Sequence, residues 1–314
     1  MKLSVVSTLY QSEAYILEFY QRVTTTCKQL VDDDYEIILI NDGSLDKSLE
    51  LAIQINEYDS HVTVVDLSRN FGHHKAMMTG LKYAQGSRVF LIDCDLEEEP
   101  EWLLKFASRM DAEPVDVIYG VQIKRKGGRF ERWSGHFYYR VVNFLSDFSQ
   151  PANMVTSRLM TRRYVDSLLL HKEREIDIGG LWIITGYSQI PVSVTKHSTS
   201  ETTYTFGRKI GVLVNAITSF SSFPLLLIFY AGLLISACAA LYICFILIQW
   251  LIISEPVPGW SSIMASIWLL GGIIVIAIGV LGIYLAKVFS EVKGRPYTII
   301  RKIYGSAEIL HDID

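Results

Sequence analysis

Cysteine is scarce in this 314-residue chain: only Cys27, Cys94, Cys238 and Cys244. None has metal-ligand or paired-disulfide spacing, which excludes a disulfide framework and a cysteine metal site and suits a reduced compartment. A long basic block is also missing, and the net charge is −4, which argues against nucleic acid as the main partner. Neither a Gly-x-x-x-x-Gly-Lys-Ser/Thr loop nor a Gly-x-Gly-x-x-Gly after the first strand-like run occurs, so the commoner phosphate cradles are excluded. No fixed-period repeat or low-complexity segment appears. The last absence is the most telling. Between Lys209 and Lys287 the only charged side chain is Glu255.

That stretch is split by Ser254-Glu255-Pro256-Val257-Pro258-Gly259, a turn-forming cluster. Each flank, about Pro224–Ile253 and Ser262–Val288, exceeds the roughly 20 apolar residues that cross a bilayer, and Trp250 and Trp260 border the connector as an aromatic belt would. Two transmembrane helices over 224–288, with a connector around 254–261, are predicted. Arg208 and Lys209 precede the first span; Lys287, Lys293, Arg295, Arg301 and Lys302 follow the second. The connector has no Lys or Arg, so both ends are expected in the cytosol. Met1-Lys2 leads into strand-like Leu3-Ser4-Val5-Val6 without a cleavage-site pattern, an expectation of a cytosolic domain over 1–205 and a cytosolic tail over 289–314. Over 206–223, Ile210, Leu213, Val214, Ile217 and Phe220 share a helical face opposite Gly211, Asn215, Thr218 and Ser222. This fits an interfacial amphipathic helix or an inward extension of the first span. A multi-pass protein of the inner, cytoplasmic membrane is the expectation, with the lipid bilayer as partner and a homo-oligomer left open.

The preceding 205 residues alternate. Strand-like Leu3–Thr8, Glu36–Ile40, Val62–Leu67, Arg88–Ile92 and Val115–Tyr119 are separated by helical Glu13–Leu30, Leu45–Tyr58, His73–Ala84 and about Pro100–Met110. Such alternation predicts an α/β domain with a mostly parallel sheet and right-handed crossovers.

Ligands of open α/β sheets bind at the carboxyl ends of the strands. There, after Val89-Phe90-Leu91-Ile92, stand Asp93 and Asp95, with Glu97, Glu98 and Glu99 behind them. Hard carboxylate oxygens so placed suit Mg²⁺ or Mn²⁺ carrying a phosphate. The plainer alternative is a turn, or a helix N-cap at Asp95. Asn41-Asp42-Gly43-Ser44 ends the second strand-like run. Asp42 there could take a ribose hydroxyl or a base N–H, with Tyr10 stacking on the base, or the segment could be an Asx turn capping the next helix through Ser44.

Taken in order, Ser7–Ser12, Asn41-Asp42-Gly43-Ser44, Ser68-Arg69-Asn70-Phe71-Gly72-His73 and Asp93-Cys94-Asp95-Leu96 resemble family 2 glycosyltransferases of the GT-A fold. The resemblance is narrowest to the polyprenyl-phosphate branch, the group of dolichol-phosphate mannose synthase and bactoprenol glucosyl transferases. It runs on through Lys124-Arg125-Lys126-Gly127, Arg158-Leu159-Met160, Ile217-Thr218-Ser219-Phe220-Ser221 and Glu291-Val292-Lys293-Gly294-Arg295-Pro296. It implies transfer of a sugar, with inversion, from a nucleotide sugar (UDP-linked by preference) to undecaprenyl or another polyprenyl phosphate. It also implies roles. Asp93 and Asp95 would bind ribose and metal, with Glu97 as a further ligand. Thr8, Tyr10, Asn41, Asp42 and Arg69 would line the nucleotide pocket. Arg125 and Arg132 would meet the acceptor phosphate, alongside Lys124, Arg129 and Arg208, unless the cluster is a solvated basic loop.

Three positions depart from the pattern: Thr156-Ser157-Arg158-Leu159 stands for Asp-Phe-Arg-Leu, Gln122 for Arg, and Glu97-Glu98-Glu99 for Gln-Asp-Pro. A carboxylate near the reacting centre is therefore missing. A phosphate acceptor tolerates the loss, since its second pKa near 6 leaves it largely dianionic at neutral pH and in no need of a general base. Two alternatives stay open: transfer to a lipid-linked saccharide, and a non-catalytic nucleotide-sugar-binding membrane module. The absent Gln-x-x-Arg-Trp motif argues against a processive synthase.

Overall fold

The structure, a computed structural model, describes residues 2–122, 151, 153–173, 177–196, 225–235, 237, 241 and 259–305. Five strands, β1 (Leu3–Leu9), β2 (Tyr35–Asn41), β3 (Val62–Leu67), β4 (Arg88–Leu91) and β5 (Val117–Gln122), alternate with α1 (Ile16–Val31), α2 (Ser48–Tyr58), α3 (His73–Tyr83) and α4 (Trp102–Ala112). Then follow β6 (Met154–Thr161), α5 (Arg162–Leu168), α6 (Ile178–Ile184) and β7 (Gln189–Val194). An apolar helix α7 (Leu225–Ile235), the 33-residue α8 (Trp260–Val292) and β8 (Ile300–Tyr304) close the described chain.

Among the described residues the strands form one eight-stranded sheet in the order β7-β5-β6-β4-β1-β2-β3-β8. The centre, β4-β1-β2-β3, is parallel, as is β5 with β7. Strand β6 runs antiparallel between β4 and β5, and β8 runs antiparallel along β3. The expected parallel sheet is therefore the core of a mixed one, in the GT-A manner. The central strands are predominantly apolar and almost entirely buried because both faces are covered. Leu3, Val5, Ile37, Leu39 and Phe90 pack under α1, α2 and α4, while Val6, Ile38, Ile40, Val89 and Leu91 pack under α3, α5 and α6. Gly80 lets α3 lie hard against the sheet, since a Cβ there would collide with Ile40 and Val6. This close seating fixes the start of α3 at the mouth of the sheet.

Helix α8 contains Leu269–Val292, 24 residues of mean hydropathy 2.6 with none of its hydrophobic window buried. That is long and apolar enough to cross a bilayer, and it overlaps the second predicted span. Of the first predicted span, Leu225–Ile235 is helical. The remainder of that span apart from residues 237 and 241, the interfacial segment 206–223 and nearly all of the connector lie outside the described residues, so the two-helix hairpin rests on sequence.

Candidate functional site

The carboxyl ends of β1, β2 and β4 meet at one edge, where the site is built. Past β4, Asp93 and Asp95 flank buried Cys94, and Leu96 adopts φ +57, a left-handed conformation that β-carbon sterics disfavour. Asp95 Oδ1 accepts the Glu97 N–H at 3.0 Å. The aspartate thus takes the local turn bond anticipated as the plainer alternative, yet it is no N-cap, because α4 begins only at Trp102. Asp93 Oδ1 is buried, and His73 Nε2 pairs with it at 3.1 Å. The other ring nitrogen, Nδ1, is 3.0 Å from Thr8 Oγ1, so His73 spans from β1 to the acidic pair.

Electrostatics separates the two aspartates. Burial alone would raise Asp93, but the bonded His73, Lys196 and the Thr156 hydroxyl outweigh it and hold the carboxyl below its ordinary range. Asp95 is pushed up, first by burial and then by the Asp93 charge. Behind them, fully buried Glu98 accepts the Thr156 N–H at 3.2 Å, the Ser157 N–H at 2.7 Å and the Ser157 hydroxyl. Burial lifts its carboxyl to about 6. Lys196, beyond β7, puts Nζ 3.0 Å from Glu97 Oε2 and 3.5 Å from Glu98 Oε1. Burial would lower Lys196, but the surrounding carboxylates raise it. Glu97, predicted as a metal ligand, therefore faces an ammonium.

The predicted nucleotide residues gather on the opposite lip. Tyr10 is 49% exposed there, free to offer a ring face, whereas Asn41 and Asp42 are buried. Asp42 accepts the Phe71 and Gly72 N–H groups at 2.7 and 3.0 Å, tying β2 to the turn that enters α3. Asn41 accepts the Ser44 N–H at 3.2 Å and donates to Asp66 at 2.8 Å: an Asx turn, though Lys47 rather than Ser44 opens α2. Gly43, at φ +65, leaves room for the Arg69–Asn70 backbone that a Cβ would strike. Arg69 donates to Asn70 O at 2.8 Å and lies over the Phe71 ring. Lys124, Arg125, Arg129, Arg132 and Arg208 lie outside the described residues.

Lys196 was not noted in the sequence; His73, Glu98 and Arg158 were read only as members of the Ser68–His73 motif, the acidic run and the Arg158–Met160 segment, with no role of their own. Arg158 has a distinct setting. Fully buried, it stacks its guanidinium on Trp182 and donates to the Thr156 and Val155 carbonyls, while Nη1 has no partner. Burial lowers it to about 9.

Among the described residues no three His, Cys, Asp or Glu side chains converge as a ligand group. The hard oxygens of the two carboxylates, Asp93 and Asp95, nonetheless fit Mg²⁺ or Mn²⁺, which are commonly held by one or two carboxylates plus phosphate oxygens and water.

Residues 4–169 match the Glycosyl transferase family 2 model. Over 309 residues the chain is 48% identical to "Putative glycosyltransferases" of Mycobacterium tuberculosis, covering 98% of this chain and 89% of that protein. It is 34% identical to "Uncharacterized glycosyltransferase YkcC" of Bacillus subtilis, covering 96% and 94%. It is 32% identical to the "SfII prophage-derived bactoprenol glucosyl transferase" of Shigella flexneri, covering 96% and 98%. The chain belongs to glycosyl transferase family 2.

Proposed function

We propose that the chain transfers a sugar from a nucleotide sugar, UDP-linked by preference, to undecaprenyl or a similar polyprenyl phosphate at the cytoplasmic face of a membrane. The observation that carries the reading is β8. It follows the apolar helix α8 yet pairs with β3 in the same sheet whose mouth holds Asp93 and Asp95. The chain thus leaves and rejoins one domain around a bilayer-length helix. Such a return requires an even number of crossings, which supports a second span before α8 and a multi-pass topology. The full-length likeness to a bactoprenol glucosyl transferase supports the same reading.

In this reading Tyr10 stacks on the base, and Thr8, Asn41, Asp42 and Arg69 shape the pocket beneath it. Asp93, kept ionised by His73, binds beside the ribose and diphosphate; Asp95 and Glu97 complete the acidic edge. A Mg²⁺ or Mn²⁺ ion, when bound, supplies neutralising charge for the departing nucleoside diphosphate. Arg125 and Arg132, with Lys124, Arg129 and Arg208, hold the acceptor phosphate, arginine suiting its bidentate geometry. The phosphate oxygen attacks the anomeric carbon as a dianion, so no general base is needed and Thr156 is tolerated in place of a carboxylate.

The test is a panel of nucleotide sugars offered to the purified full-length protein with and without undecaprenyl phosphate. Transfer to the phosphate is expected. Transfer only to a lipid-linked saccharide, or none with any acceptor, overturns the reading.

A further inference from the structure

Beside Asp93 lies a cavity of about 200 Å³. Three elements wall it: the start of α3 with His73 and His74, Thr156 of β6, and the turn into α6 with Asp177, followed by Trp182. One of these walls touches the acidic pair directly, His73 at 3.1 Å from Asp93, and Thr156 donates its backbone N–H to Glu98 just behind it. Whatever fills the cavity is therefore next to a group held at Asp93.

The lining selects the chemistry of the occupant. It holds one carboxylate, Asp177, and two imidazoles, of which His73 is engaged by Asp93 and Thr8, but no lysine or arginine fork to cradle a phosphate bidentately. Trp182 offers an apolar wall whose indole N–H is buried without a partner. The ring is braced from behind by the stacked Arg158 guanidinium, and its backbone carbonyl is pinned by Tyr164 Oη at 2.8 Å and Gln189 Nε2 at 2.6 Å. A rigid aromatic wall, one unmet donor and one carboxylate acceptor match a neutral polyhydroxylated ring. The volume lies below the roughly 300–1,000 Å³ of drug-sized sites and suits one monosaccharide.

We propose that this cavity seats the sugar of the donor and that Asp177 and Trp182 determine which sugar is accepted. The assignment rests on the nucleotide-sugar reading above. Asp177 accepts hydrogen bonds from sugar hydroxyls, and the Trp182 N–H donates to a sugar oxygen. Thr156 donates its N–H to Glu98, where a third acid would crowd Asp93 and Glu98.

The experiment is calorimetric titration of full-length wild type, Asp177→Asn and Trp182→Phe in detergent. The probes are UDP-glucose, UDP-galactose, UDP-N-acetylglucosamine and GDP-mannose, each compared with its own nucleoside diphosphate. In the wild type one sugar nucleotide should bind more tightly than its matched diphosphate. Asp177→Asn should weaken that sugar nucleotide about tenfold, the size of one lost hydrogen bond to a charged group, with the diphosphate unchanged. Trp182→Phe, which keeps the wall and removes the donor, should act in the same direction and serves if Asp177→Asn misfolds. Equal weakening of sugar nucleotide and diphosphate overturns the assignment, as does a wild type that prefers none of the four. So does a rise in KM for undecaprenyl phosphate with donor binding intact. Asp177-dependent sugar binding without transfer to undecaprenyl phosphate leaves the cavity standing and removes the transferase reading instead.

Discussion

His73 Nε2 stands 3.1 Å from Asp93 Oδ1 while its Nδ1 stands 3.0 Å from Thr8 Oγ1. One imidazole from the first turn of α3 therefore fixes a carboxylate beyond β4 to the end of β1.

The first prediction follows from that bridge. Removing a side chain that orients a ligand typically costs 10–100-fold in metal affinity or activity. His73→Ala should raise the metal concentration for half-maximal transfer by roughly that factor. Asp95→Ala should lower transfer on the order of a hundredfold or more, since the ion supplies several kcal/mol of charge stabilisation. Titrations of Mg²⁺ and Mn²⁺ against transfer rate check both; a chelator without effect would refute the metal.

Lys196 is the ammonium that faces Glu97 and Glu98. Lys196→Met should destabilise the protein by about 3 kcal/mol, because it leaves the buried Glu98 carboxylate uncompensated. Adding Glu98→Gln should recover much of that loss, as the carbonyl oxygen still accepts from Thr156 or Ser157. Thermal melts of the single and double variants in detergent provide the measurement. An additive double variant would show that the two charges do not interact.

The acid limb of stability should depend on Asp59. Burial alone would raise its carboxyl, but the His61 N–H, the Tyr20 hydroxyl and the His61 ring, at 2.9, 2.7 and 2.7 Å, hold it below its ordinary 3.8. A depressed carboxyl stabilises fully above the unfolded pKa and loses that contribution as pH falls through the folded one. Asp59→Asn should therefore cost about 1–2 kcal/mol at pH 7, and the gap should close as pH falls below about 4. A gap that stays constant down to pH 3 would assign the effect to shape rather than charge.

Topology makes the fourth prediction. A cysteine placed at Glu255 should react with an impermeant thiol reagent in intact cells, and one placed at Ser306 should react only after lysis. The reverse pattern would invert the orientation derived from the flanking Lys and Arg residues.

The elements readable in advance were those whose signal is local. Strands β1 to β4 are short segments rich in Val, Ile and Leu, and Val62–Leu67 was bounded to the residue. The starts of α1 and α2, at Ile16 and Ser48, fall three positions beyond the expected Glu13 and Leu45, whereas α3 begins at the expected His73. Beyond β5 legibility fell away. Helices α5 and α6 have seven residues each, too short for a 3.6-residue period to declare itself. Strand β8 joins β3 across more than 230 residues of sequence, which no window spans. The site divides the same way: Asp93 and Asp95 are visible one residue apart, whereas Lys196 reaches Glu98 from nearly a hundred residues downstream.

The position of β8 also orders the making of the protein. Seven of the eight described strands are synthesised before α8, and until Ile300–Tyr304 follows, β3 lacks its neighbour among the described strands on that side and presents a row of N–H and C=O groups. An uncovered strand edge is a template for pairing with another chain. The nascent chain therefore carries a sticky flank that is sealed only after the apolar helix α8 has been made, so synthesis of that helix precedes completion of the sheet. Truncation after Lys196 would yield not a soluble version of the catalytic domain but a domain arrested with that flank open, prone to self-association wherever it accumulates.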